Sequence, residues 1–198
     1  MNKLAMAVKL LAAGASLSVL VACSGLNFGT ANMLRDVDVF NDDISEMAFA
    51  IDLPLSILPQ DDGMIYKMDV TTRELGERHI NAVLERGTDI LAFSGLTPPK
   101  NNRTYHLFSF TEQEKTNLRE LQAWIKNIKQ STDDVGGELS MSMDLQFCRV
   151  AEADVSDARV TVFVSLPGKP ALSPLFSNVK LSEIGGTDAQ NLPVCVQT

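Results

Sequence analysis

Hydrophobic and polar residues alternate most regularly between Leu139 and Cys148. Leu139, Met141, Met143, Leu145 and Phe147 hold one parity, and Ser140, Ser142, Asp144, Gln146 and Cys148 hold the other. A period of two belongs to a strand with one face on a core and one face in water. Two methionines at that spacing, beside Leu and Phe, read as core filling rather than as copper ligands. Val160, Val162, Val164 and Leu166 repeat the alternation and predict a strand at 158–166. Further strands are predicted at 47–53, 63–71, 90–96 and 104–110. Pro54, Pro59 and the turn-like Asp61-Asp62-Gly63 separate the first two.

Two segments carry helix signals instead. Thr111 and Glu114 have capping-box spacing, and Leu118, Leu121, Trp124, Ile125 and Ile128 then fall on one stripe. Lys126 and Lys129 sit where the helix dipole favours cations, so a helix is predicted over 112–130. Thr71 and Glu74 repeat the spacing ahead of Leu75, Ile80, Val83 and Leu84, with Arg86 and Gly87 as stop signals. That predicts a second helix over 72–86, with His79 at the margin of its apolar side. The resulting order is strand-strand-helix, strand-strand-helix, strand-strand. It implies an α+β fold: a two-layer sandwich with a mainly antiparallel sheet of about six strands and two helices.

Composition narrows the class without naming an activity. The 198 residues suit a single domain, and 45% hydrophobic with 21% charged residues is ordinary for a globular protein. Seventeen Lys and Arg against 25 acids leave a net charge of −8 with no basic patch, which argues against nucleic acid as a partner. Two His and three Cys are little material for a metal site, and nothing calls for a cofactor.

The first residues say where the chain goes. Lys3 and Lys9 make a positive start, and Leu10 to Ala22 is uncharged but too short for a permanent span, which needs about 20 apolar residues. The stretch ends in Leu20-Val21-Ala22-Cys23, which resembles the lipobox of bacterial lipoprotein precursors. That resemblance covers about 25 residues. It implies cleavage after Ala22, a diacylglyceryl group on the Cys23 thiol and acylation of the new amino group. Ser24 resembles the outer-membrane sorting choice of Gram-negative rod bacteria, so the expected site is the outer membrane facing the periplasm. The chain then divides into a leader at 1–22, a lipidated Cys and acidic tether at 23–46, and one α+β domain with a C-terminal tail at 47–198. Cleavage removes two lysines and no acid, so the lipid rather than surface charge must attach the protein. In the tether, Asp36, Asp38, Asp42, Asp43 and Glu46 fail the EF-hand pattern. Phe40 stands at a ligand position and Asn41 where Gly is needed.

With Cys23 consumed by lipid, Cys148 and Cys195 remain as a pair that an oxidising compartment allows to join. Cys148 belongs to the polar parity of its strand. A bond to Cys195 is therefore expected to draw the tail across the open face of the sheet, over Phe163.

Chemistry is sparse. His79 and His106 are the available imidazoles, and Ser94-Gly95 is a nucleophile candidate only as any serine is. No GxSxG, HExxH, P-loop or GxGxxG is present. Asp61/Asp62 and Asp133/Asp134 are adjacent carboxylates in turn-like sequence, unlike a glycosidase pair converging across a cleft. Tyr105, Phe108, Phe110 and Trp124 could line an apolar pocket but suit a core better. The leading expectation is a non-catalytic, lipid-anchored envelope protein that binds another envelope protein. The alternatives are a small periplasmic hydrolase using His79 or His106 as base on cell-wall or lipid material, and an apolar-ligand carrier.

Overall fold

The computed structural model describes residues 37–39, 41–72, 76–87, 95–100, 102–131, 137–184 and 191–196. Among these residues seven strands and one α-helix follow in order: β1 (Ala48–Pro54), β2 (Ile57–Thr72), β3 (Gly76–Arg86), β4 (Arg103–Phe110), α1 (Glu112–Ser131), β5 (Gly137–Arg149), β6 (Arg159–Leu166) and β7 (Lys169–Lys180). The strands form one antiparallel sheet in the order β5-β2-β3-β4-β1-β6-β7, curled into a half-barrel. The α+β character stands, and the described residues carry one more strand than expected and one α-helix fewer.

The helix expected over 72–86 is β3. Ile80, Ala82 and Leu84 turn to the core side at period two, and Leu84 lies opposite the buried Phe110 of β4. The Thr72 hydroxyl donates to the Gly76 carbonyl at 2.9 Å, and Gly76 has a φ of +79°. A left-handed glycine beside such a bond suits a reversal between strands, not the first turn of a helix. The apolar positions 80 and 84 fit both periods, and pairing on both sides of β3 decides for the strand.

β2 is longer than expected because the Asp61-Asp62-Gly63 signal is absorbed into it as a bulge. Pro59 faces Phe147 and Met64 faces Leu145, so β2 carries extra residues between them. Asp62 has a φ of 56°, and the Gln60 amide donates to the Phe147 carbonyl at 2.8 Å. Gly63 is required here by close approach, since a Cβ on it would lie 2.9 Å from the Gln146 Cβ. β7 was not expected at all, because Pro170 and Pro174 interrupt its pattern. Edge strands tolerate proline, since their outer N–H groups have no partner to lose. The strand expected at 90–96 lies mostly outside the described residues.

One face of the sheet lines the main core. Phe49, Tyr66 and Phe110 meet there with ring centroids 5.3–6.2 Å apart. α1 covers part of this face with Leu118, Leu121 and Ile125, all buried. Its start agrees with expectation: the Glu114 N–H donates to the Thr111 hydroxyl at 3.2 Å. On the opposite face Ala50, Leu107 and Leu172 form a smaller cluster.

At the start of β4 the Arg103 guanidinium binds both carboxylate oxygens of Asp52 at 2.9 and 3.0 Å. It also donates to the carbonyls of Asp52 and Arg159, tying β4 to β1 and β6. Both side chains are mostly buried, so removing one leaves a charge with poor access to water. Arg103→Met should lower unfolding stability by about 2–3 kcal/mol in urea titration, and the double change Asp52→Leu with Arg103→Met should cost less than that single change.

Candidate functional site

The two histidines do not share a site. His79 lies on β3 before its pairing with β4 begins, on the parity facing away from the core. His106 lies on β4 beyond that pairing, opposite the fully buried Ile51 and therefore on the core side. They occupy opposite ends and opposite faces.

Around His79 the neighbours come from cross-strand register. Asp69 stands opposite His79 on one side and opposite Ser140 on the other. His79 Nδ1 is 2.7 Å from Asp69 Oδ1, Glu77 is 3.5 Å from Nε2, and the Ser140 hydroxyl donates to Asp69 Oδ2 at 3.3 Å. The carboxylate sits between serine and imidazole, so the imidazole does not reach the hydroxyl as a base would. The Asp69 hydrogen bond, with the charges of Asp69 and Glu77, holds the His79 pKa above its ordinary value. Burial and the nearby Arg86 push His106 the other way, and its buried Nε2 has no hydrogen-bond partner among the described residues. The Tyr66 hydroxyl is likewise buried without a partner, inside the aromatic group of the main core.

The remaining expected residues are dispersed. Asp61 and Asp62 are exposed on the β2 bulge, with Arg86 3.7 Å from Asp61. Phe108 and Phe110 fill the core, Tyr105 stacks edge-on to Phe163 on the other face, and Trp124 carries Arg78 4.5 Å above its ring. Cys23, Ser94, Asp133 and Asp134 lie outside the described residues. Among the described residues no group of three His, Cys, Asp or Glu is placed to hold a metal ion.

Cys148 and Cys195 stand at disulfide distance, with Cα atoms 5.0 Å apart. The tail takes a different path from the one expected. It runs parallel to the end of β5, where the Arg149 N–H donates to the Pro193 carbonyl and the Cys195 N–H donates to the Arg149 carbonyl. Leu192 is buried in the main core. Phe163 packs with Tyr105 and the Ala50 cluster instead. The parity of Cys148 did not reveal that β5 is an edge strand, whose side offers the tail backbone partners.

A notch of about 230 Å³ lies between residues 41–43 and α1. Its walls carry Asp42, Asp43, Arg119 and Lys126, a polar lining of both signs. Arg119 is held by Asp43 at 2.9 Å, and the buried Gln122 amide donates to the Val39 and Asp42 carbonyls at 2.7 Å each. These bonds fasten the entering chain to the helix. Sequence reading missed Gln122, which sits inside the helix beside Leu121 with no pattern to mark it.

The larger feature is the outer side of β5. Beyond the one bridge from Arg149 to Val194, no strand among the described residues pairs with it. Its apolar row, Leu139, Met141, Met143 and Leu145, packs on the core yet stays partly exposed. Large exposed apolar residues gather at the strand's end: Leu55, Val150, Val194 and Val196. The Val150 N–H donates to the Ser56 carbonyl, which brings the β1–β2 turn to the same place. A long strand with open backbone groups and a half-covered apolar row can accept another strand.

The opposite pKa directions give a check on side-chain placement. In an NMR titration His79 should titrate above about 6.5 and His106 below it. For His79 the stabilisation is complete below the unfolded value and fades as pH rises through the raised one. Asp69→Asn should return His79 toward its ordinary value and leave His106 unmoved. Comparison of the chain with protein-family models, curated proteins and solved structures finds no match.

Proposed function

We propose that this chain is a lipid-anchored protein of the cell envelope, held through Cys23 on the periplasmic side of the outer membrane, whose folded domain binds another protein chain at β5. The observation that carries the docking part is the contrast between the two sheet edges. β7 contains Pro170 and Pro174, a positive φ at Asn178 and three register shifts against β6. Those are devices that discourage strand addition. β5 has no proline, and its outward polar row offers only Glu138 and Asp144 as charges.

The anchoring part is supported by Leu20-Val21-Ala22-Cys23 behind a short, positively started apolar stretch. Each buried acyl methylene contributes about 0.8 kcal/mol, so two or three chains hold a domain of this size on a bilayer. An acidic domain gains nothing by lying on anionic lipid, which leaves its surface available to protein partners.

Two measurements on the natural chain test the reading. Mass spectrometry of the protein from membranes should find an N-terminal peptide starting at Cys23 with its lipid; an intact Met1 with an unmodified thiol ends the anchoring claim. A photo-crosslinking residue placed at Ser142 on β5 should give discrete protein adducts in living cells, and one at Ala171 on β7 should give few. Equal yields at both positions would contradict docking at β5.

A further inference from the structure

The β5 edge is complementary to itself in one register. Residues directly opposite each other in an antiparallel pair point to the same face, so a second copy of β5 must add with apolar opposite apolar. A two-fold axis through Ser142 achieves this. Met141 then faces Met143 and Leu139 faces Leu145 on the core side, while on the outer side Ser140 faces Asp144 and Gln146 faces Glu138. Gln146 brings an amide donor to Glu138, Asp144 keeps its own Lys67, no acid faces another acid, and each contact occurs twice because the interface is two-fold.

Neighbouring registers fail for reasons visible in the chain. An axis at Met141 sets Glu138 against Asp144, two carboxylates in contact. An axis at Met143 extends the pairing to Arg149, where the C-terminal tail already takes the backbone groups through Pro193 and Cys195. An axis between two residues sets apolar side chains against polar ones. The register at Ser142 keeps pairing within 137–147 and clear of the tail.

We propose that the partner at β5 is a second copy of this chain, joined antiparallel about Ser142 so that two sheets become one. The proposal rests on the reading of β5 as the docking edge and adds the identity of the occupant. Pairing covers the exposed part of Leu139, Met141, Met143 and Leu145 with the same row of the other protomer. It also supplies the outward backbone groups of β5 with partners.

The test uses the full chain, produced with its own leader and purified in non-ionic detergent. Ser142 and Ser140 are both exposed, so single changes there leave the core intact. Under mild oxidation Ser142→Cys should give a covalent dimer on a non-reducing gel. Ser140→Cys should give little, because its counterpart across the axis is position 144 rather than 140. The wild-type chain controls for the native thiols. In sedimentation equilibrium Gln146→Lys should tighten the dimer about fivefold and Gln146→Glu should weaken it about fivefold, since each change acts opposite Glu138 twice. Equal crosslinking of the two cysteine variants, or no response to the charge at position 146, overturns the second-copy proposal. If Ser142 crosslinks in cells only to a different protein, the second copy is wrong and docking at β5 survives. If it crosslinks to nothing, both fail.

Discussion

An open sheet has two edges, and every edge strand presents unpaired N–H and C=O groups that must face water or find a partner. That constraint organises this molecule. Among the described residues seven antiparallel strands curl around a core on one face without β5 and β7 pairing, so both edges remain. β7 meets the constraint by being a poor template: prolines and shifted register deny an incoming strand a regular ladder. β5 is regular from Gly137 to Leu145 and lacks those devices.

The rest of the fold leaves that edge open. The entering chain is fastened to α1 by Gln122 and Arg119, beside the start of β1. At the far end of the sheet the β1–β2 turn, the end of β5 and the Cys195 tail are drawn together by backbone hydrogen bonds. Close to that turn Arg103 and Asp52 bind β4, β1 and β6 together. The tether therefore joins at one end, the tail is locked at the other, and the length of β5 from Glu138 to Phe147 lies between. The bulge at 59–64 shapes the same region, since Gly63 packs directly against Gln146 of β5.

Much of the local structure was legible in the chain. The alternations at 139–148 and 160–166 are strands, and the Thr111 cap with the Leu118–Ile125 stripe is a helix. The failures have physical causes. Residues 76–86 carry apolar positions compatible with both periods, and β2 and β4 on either side settle the matter through pairing that no local pattern records. Pro170 and Pro174 hide β7 because proline reads as a breaker unless the strand is already known to be an edge. Asp61-Asp62-Gly63 has turn chemistry, which a bulge uses as well as a turn does. The candidate surface was the least legible part. The apolar row of β5 was plain, but that β5 sits at an edge depends on strand order, which periodicity does not contain. The Ser140–Asp69–His79 row depends on the same order.

Hydrogen exchange at single-amide resolution measures the central claim directly, because it reports which backbone groups of β5 lack a partner. In dilute solution every second amide between Ser140 and Gln146 should exchange quickly, its neighbours held by β2. As concentration rises those fast amides should become protected while the outward amides of β7 stay unchanged. Outward β5 amides that are slow at the lowest concentration, or fast at every concentration, would contradict the account.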